Sequence, residues 1–268
     1  MSETVLEETL VETSKKGIQI LTEMPAISIK AEPLTHIFDF KFTNSQLLSI
    51  IVIISFLLMA LRYSKESKQK IKSGFYYFMH FIISSIYSLF KTVLGEKINY
   101  FFPLIFSFFA YILLQNWFGL LPGVGSILLK IEENGHQLFA PILRGGNADL
   151  NGTFALAIIS VVMIQVYGVK FLGFGGYLKK FINLSNPINF ALGFLEIVSE
   201  FSKILSFSFR LFGNIFAGEV LLTIVAFLVP VLASFPFILL EVFVGFIQAL
   251  VFSMLTSVFI SGAIAKHH

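Results

Sequence analysis

One arginine stands alone inside an apolar run of membrane-spanning length. Residues 190–228 are overwhelmingly Phe, Leu, Ile, Val, Ala and Gly, interrupted by Glu196, Glu200, Lys203, Arg210 and Glu219. A charge at bilayer depth costs several kcal/mol, and arginine cannot shed its proton because its pKa stays above about 12. Arg210 therefore needs an anion. Its helical neighbours three and four residues away are Phe207, Ser206, Gly213 and Asn214, none acidic, so the counter-charge is non-local. Ser206, Arg210, Gly213 and Ala217 follow at spacings of four, three and four and form one stripe. Small residues on a membrane helix admit a second backbone at close range. Two readings stand: a docking surface for a helix that brings a carboxylate, or an internal ion pair with another glutamate of this chain.

The remaining acids are few. After Asp149 the chain has Glu196, Glu200, Glu219 and Glu241, and each lies in an apolar helical run. Carboxylates in such settings can take up and release protons near neutrality, which a proton relay requires. Glu200 and Lys203, three residues apart, can pair structurally. Glu196, one turn before Glu200 and nearer the cytoplasmic end, is the better candidate for an inner exit. Glu219 is nine residues past Arg210, about half a turn round, and faces away from the arginine stripe. Glu241 and Gln248 are seven residues apart and share a face. On an inclined helix facing a steeper last helix, Glu219 and Glu241 both come out ~7 Å below the outer end, with Arg210 ~14 Å and Gln248 ~18 Å deep.

The elements that position these groups follow from composition. The chain is 56% hydrophobic and only 13% charged, with 33 Phe among 268 residues. Several runs reach the ~20 apolar residues that span a bilayer, which excludes an ordinary soluble enzyme. The fold class is an all-α polytopic membrane protein with about five transmembrane helices, one interfacial amphipathic helix and a long, steeply tilted fourth span. A net charge of +3 makes no case for nucleic acid. Without cysteine there is no disulfide framework and no thiolate metal site. No nucleophile triad, phosphate loop or metal cluster is visible, so no catalytic site, metal or cofactor is expected, and His267 and His268 read as a tail.

Residues 1–42 form an acidic, soluble N-terminal tail, and residues 43–268 the membrane domain. Thr43 and Asn44 cap a first span over residues 47–61, and Arg62, Lys65, Lys68, Lys70 and Lys72 follow at once. The positive-inside rule makes that end cytoplasmic and the N-terminus external. In residues 75–94, His80, Ser84, Ser88 and Lys91 gather on one face, which suits a helix lying in the interface. Residues 100–121 make the second span, closed by Pro122 and Gly123. Asn116 near its outer end reads either as part of an aromatic-anchored helix terminus or as a member of the ion path. A loop over residues 124–150 leads to a third span, residues 153–172, with Asp149, Asn151 and Thr153 as capping residues. Asn186 and Pro187 open the central helix. Its apolar run rises ~58 Å against a hydrocarbon core of ~30 Å, and no proline between residues 190 and 228 forces a break, so it tilts by roughly 60°. Pro230 and Pro236 bracket an outer turn, and the last span covers residues 237–265 with the C-terminus inside.

Three stretches carry a resemblance. FRLFGNIFAGE at residues 209–219, NWFGLLPG at 116–123 and FIQALVFSMLTSVFIS at 246–261 resemble subunit a of the F-type ATP synthases, the stator half of the proton channel. The resemblance extends from about Thr43 to the C-terminus. It implies two half-channels separated by Arg210, which faces a ring of c subunits, with Asn214, Glu219, Glu241, Gln248 and Glu196 in ion translocation and Lys203, Glu200 and Asn116 in secondary roles. It implies as partners the c ring, subunit b of the peripheral stalk, other ATP synthase subunits and membrane lipid, with nucleotide chemistry in other subunits. The implied location is a bacterial inner membrane. A secondary transporter is the competing class, but internal repeats and broken helices are not seen. A passive membrane anchor is the other.

Overall fold

The computed structural model describes residues 31–37, 40–121, 123–124, 128–133, 136–181, 187–229 and 234–265. Among them are seven α-helices: α1 Asn44–Ser67, α2 Gly74–Leu94, α3 Ile98–Gly119, α4 Leu150–Leu172, α5 Phe174–Phe181, α6 Pro187–Leu228 and α7 Ser234–Ala263. Five helical stretches are long and apolar enough to cross a membrane, with α2 and α3 falling in one stretch of 46 residues.

That stretch is bent. Gly95 sits between α2 and α3 at φ 55°, a conformation side chains disfavour. The Tyr87 hydroxyl donates to Asn99 Oδ1 at 2.7 Å, and the Tyr87 and Phe102 rings lie 5.1 Å apart. A straight helix would separate positions 87 and 102 by ~22 Å. At its other end α2 meets the end of α1, where Tyr63 stacks on Tyr76 at 5.0 Å and Arg62 lies 4.5 Å over the Phe75 ring. α1 and α3 run antiparallel, for Ser49 near the start of α1 bonds Gln115 near the end of α3. Both ends of α2 therefore lie on one side of the bundle, and it runs along that side. Its His80, Ser84, Ser88 and Lys91 are all exposed, as an interfacial polar face requires.

Local chemistry sets the helix starts. Thr43 accepts from the Gln46 N–H at 3.4 Å while Gln46 Oε1 accepts from the Thr43 N–H at 3.1 Å, a reciprocal capping box. Asp149 caps α4 by accepting from the Asn151 N–H at 3.1 Å. The third span thus begins at Leu150, three residues before the expected start, and Asn151 and Thr153 lie inside its first turn. α7 likewise begins at Ser234 rather than residue 237, because Pro236 occupies the first turn, where its missing N–H has no partner to lose. α6 is one continuous helix of 42 residues. Pro122, Asn186, Pro230, the His pair and residues 1–30 lie outside the described residues.

Two antiparallel strand pairs were not expected: β1 Pro33–Ile37 with β2 Phe40–Thr43, and β3 Leu128–Glu133 with β4 His136–Pro141. The first lies at the end of the soluble tail, just ahead of α1. Asn44 ties both to the helices: its N–H donates to the Glu32 carbonyl at 3.1 Å, its Oδ1 accepts from the Glu32 N–H at 3.3 Å, and its Nδ2 donates to the Pro141 carbonyl at 3.1 Å.

The core joins α2, α3, α4, α6 and α7 through Phe90, Phe101, Ile105, Ile164, Leu211 and Phe252. Buried hydroxyls cross it: Ser160 with Thr256 at 2.9 Å joins α4 to α7, and Thr153 with Ser208 at 3.3 Å joins α4 to α6.

Candidate ion path

Arg210 lies on an exposed face of α6. Its guanidinium donates to Ser206 Oγ at 3.2 Å, one helical turn back. Among the described residues no carboxylate of this chain pairs with it. Ser206, Asn214 and Ala217 are exposed beside it, and a side chain added at Gly213 would meet nothing within 4 Å. The stripe thus opens outward, and among the described residues the internal ion pair left open by the sequence does not form.

The glutamates have other partners. Glu219 turns away from the stripe and accepts from Arg144 at 3.1 Å. The arginine side chain is only 5% exposed and the carboxylate 35%. Sequence reasoning missed Arg144. The available signal was Glu219 itself, a carboxylate inside an apolar run whose neighbours Ile215, Phe216, Leu222 and Thr223 offer no cation.

Arg144 is placed by a pinned loop. The Gly146 N–H donates to Gln115 Oε1 at 3.2 Å, and Asn147 Nδ2 donates to Asn116 Oδ1 at 2.7 Å. Asn116 Nδ2 in turn donates to the Gly245 carbonyl of α7 at 2.9 Å, and Trp117 Nε1 donates to the Val242 carbonyl at 3.1 Å. Asn116 is therefore a buried bridge between α3, the loop and α7. Its grip falls between Glu241 and Gln248.

Glu241 is buried. It faces α6 where Gly218 lacks a side chain; an added methyl there would land on the Glu241 carboxyl. One turn beyond Arg210, Asn214 Nδ2 donates to Gln248 Oε1 at 2.7 Å. The Gln248 Nε2 is buried with no hydrogen-bond partner among the described residues.

A second polar group lies toward the start of α6. Lys203 donates to Glu200 at 2.7 Å, the structural pair allowed by their spacing, and its ammonium lies 4.7 Å over the Phe259 ring. Glu196 is partly buried on the same face. α5 covers this end: an added side chain at Gly193 would strike the Phe181 carbonyl, and one at Gly168 would strike the Tyr177 ring. The buried Tyr177 hydroxyl donates to Gln165 of α4. Burial, with the charges of Glu200 and Glu196 nearby, pushes that hydroxyl up to about 12. It stays neutral at working pH. Among the described residues no group of three or more His, Cys, Asp or Glu side chains could hold a metal.

The family described as ATP synthase A chain matches residues 45–261. This chain belongs to that family. ATP synthase subunit a of Syntrophobacter fumaroxidans is 34% identical over 201 residues, which cover 75% of this chain and 76% of that protein. ATP synthase subunit a of Citrifermentans bemidjiense is 32% identical over 200 residues, covering 75% of this chain and 79% of that protein. The family match takes in Asn116, Arg144 and every polar residue of α6 and α7 described above, while β1 and β2 precede it.

Proposed function

We propose that this chain conducts protons through the membrane sector of an ATP synthase, providing two half-channels and the stator arginine that faces the rotor. The observation that carries the reading is Arg210: a permanent cation on an open, small-residue face of a membrane-length helix, without a carboxylate partner among the described residues of its own chain.

A helix of the c ring brings a protonated carboxylate onto the stripe of Ser206, Arg210, Gly213 and Ala217. There the carboxyl gives up its proton, and Arg210 stabilises the anion. Glu219 with Arg144, and Glu241, line the outer half-channel. Gln248 and Asn214 hold α7 against α6 at the level where the paths must be kept apart. Glu196, Glu200 and Lys203 line the inner exit. The fixed charge of Arg210 opposes protons that would leak straight from one half-channel to the other. Each proton crossing 100 mV releases about 2.3 kcal/mol, which becomes torque only if that leak is closed.

The 42 residues of α6 rise ~63 Å against a hydrocarbon core of ~30 Å, so α6 lies inclined by roughly 60° along the ring. The lysines after α1 set the cytoplasmic side, with the N-terminus outside and the C-terminus within. A bacterial inner membrane fits the bacterial relatives. Subunit b and the other ATP synthase subunits complete the stator, and nucleotide chemistry belongs to them. An uninterrupted α6 does not favour the transporter reading, whose sites need broken helices.

Arg210→Ala in the assembled complex should abolish proton-driven ATP synthesis while the complex still purifies whole. Lysine should restore it only in part, because an ammonium can lose its proton when desolvated and lacks the planar fork. Coupled synthesis persisting in Arg210→Ala membranes would leave only the anchor reading.

A further inference from the structure

Two lysines outside the ion path meet at one aromatic pair. The elbow between α2 and α3 packs on the last turn of α4. There the Lys97 ammonium lies 5.3 Å from the centroid of the Phe171 ring. The Lys170 ammonium lies 5.0 Å from that of Tyr100 and donates to the Tyr100 hydroxyl. Tyr100 and Phe171 are in edge contact, 5.5 Å apart. Both lysines are exposed, and among the described residues neither forms an ion pair, not even Lys97 with the adjacent Glu96. The ring contacts hold two cations in place at little further entropic cost to a ligand.

The side of α4 that leads away from Lys170 is apolar and bare. Val166, Val162 and Ile159 stand four, eight and eleven residues before it, on its side of the helix, and are 49%, 51% and 51% exposed. This stripe runs ~17 Å, about the depth of one leaflet's share of a ~30 Å hydrocarbon core. It lies away from Ser160, which faces α7, and from Thr153, which faces α6.

An anionic head at the lysines and apolar chains along the stripe would satisfy both features at once, which a soluble acidic protein or a free anion would not. We infer that this elbow binds an anionic phospholipid, its phosphate held by Lys97 and Lys170 and its acyl chains laid along Val166, Val162 and Ile159. The site is separate from the proton path, and its occupancy does not depend on how Arg210 acts.

The test uses the assembled complex in phosphatidylcholine vesicles that carry a trace of either phosphatidylglycerol or phosphatidylcholine with a photoreactive acyl chain. Crosslinks to the α4 peptide holding residues 159–166 are then counted. The anionic probe should label this peptide above the zwitterionic one. Lys97→Gln with Lys170→Gln should remove that excess, by about fivefold per lysine, while the paired Lys→Arg variant keeps it and Lys65→Gln with Lys68→Gln leaves it unchanged. Equal labelling by the two probes in the wild-type complex overturns the inference without recourse to any variant. So does an excess that survives the double glutamine variant, or one that millimolar inorganic phosphate removes.

Discussion

Glu219 and Arg144 differ in exposure, and the difference decides what each contributes. Arg144 is nearly buried and pairs with the carboxylate, whereas Glu219 keeps about a third of its side chain exposed. Glu219→Gln should therefore do two separable things: slow passive proton conduction through the membrane sector by about tenfold or more, and lower the yield of assembled complex by removing an anionic partner of a nearly buried cation. Adding Arg144→Gln should recover assembly but not conduction. Immunoblots of purified complex against conduction in stripped membranes separate the two, and recovery of both together would mean that Glu219 has only a packing role. Arg210 and Glu219 were legible for the same reason, since each is a charge in an apolar run with no opposite charge at helical spacing. Arg144 was not, because a loop arginine in a sequence looks solvated until the fold delivers it to α6.

At the scale of elements, close approaches between helices are made where side chains are missing. α5 lodges against α4 at Gly168 and against α6 at Gly193, and the hydroxyl of Tyr177 fastens it to Gln165. Gly168→Ala should push the Tyr177 ring aside at a cost of about 1–3 kcal/mol, the scale of overpacking. Tyr177→Phe keeps the ring and loses one hydrogen bond, about 1 kcal/mol. Thermal denaturation of the detergent-purified complex should rank the alanine variant below the phenylalanine one; the reverse order would mean that the ring has room to move. Periodicity and length made the long helices legible, and Thr43 with Asn44 gave the start of α1. α5 was not read from the sequence, since its eight residues carry little periodic signal. The strands escaped for a similar reason: four to six residues in segments rich in charge and turn formers leave no alternation long enough to read.

For the whole molecule the decisive question is on which side each connection lies, and α2 decides it. Its apolar content is high enough to pass for a span, and it shares one long apolar stretch with α3. Composition cannot resolve this; the exposed stripe of His80, Ser84, Ser88 and Lys91 and the turn at Gly95 do. With both ends of α2 on one side, the chain crosses by α1, α3, α4, α6 and α7. The connections after α1 and after α4 then share a face, and the β3–β4 connection lies opposite. The absence of native cysteine lets single cysteines report this directly. In right-side-out vesicles an impermeant maleimide should miss cysteines placed at Ser67 and Lys179 and reach one placed at Glu132; inverted vesicles should give the reverse pattern. A cysteine at position 179 labelled from outside would require α2 to cross the membrane. Every later element would then invert, carrying Glu196 and Glu200 to the outer side and Glu219 to the inner, and the two half-channels would exchange their openings.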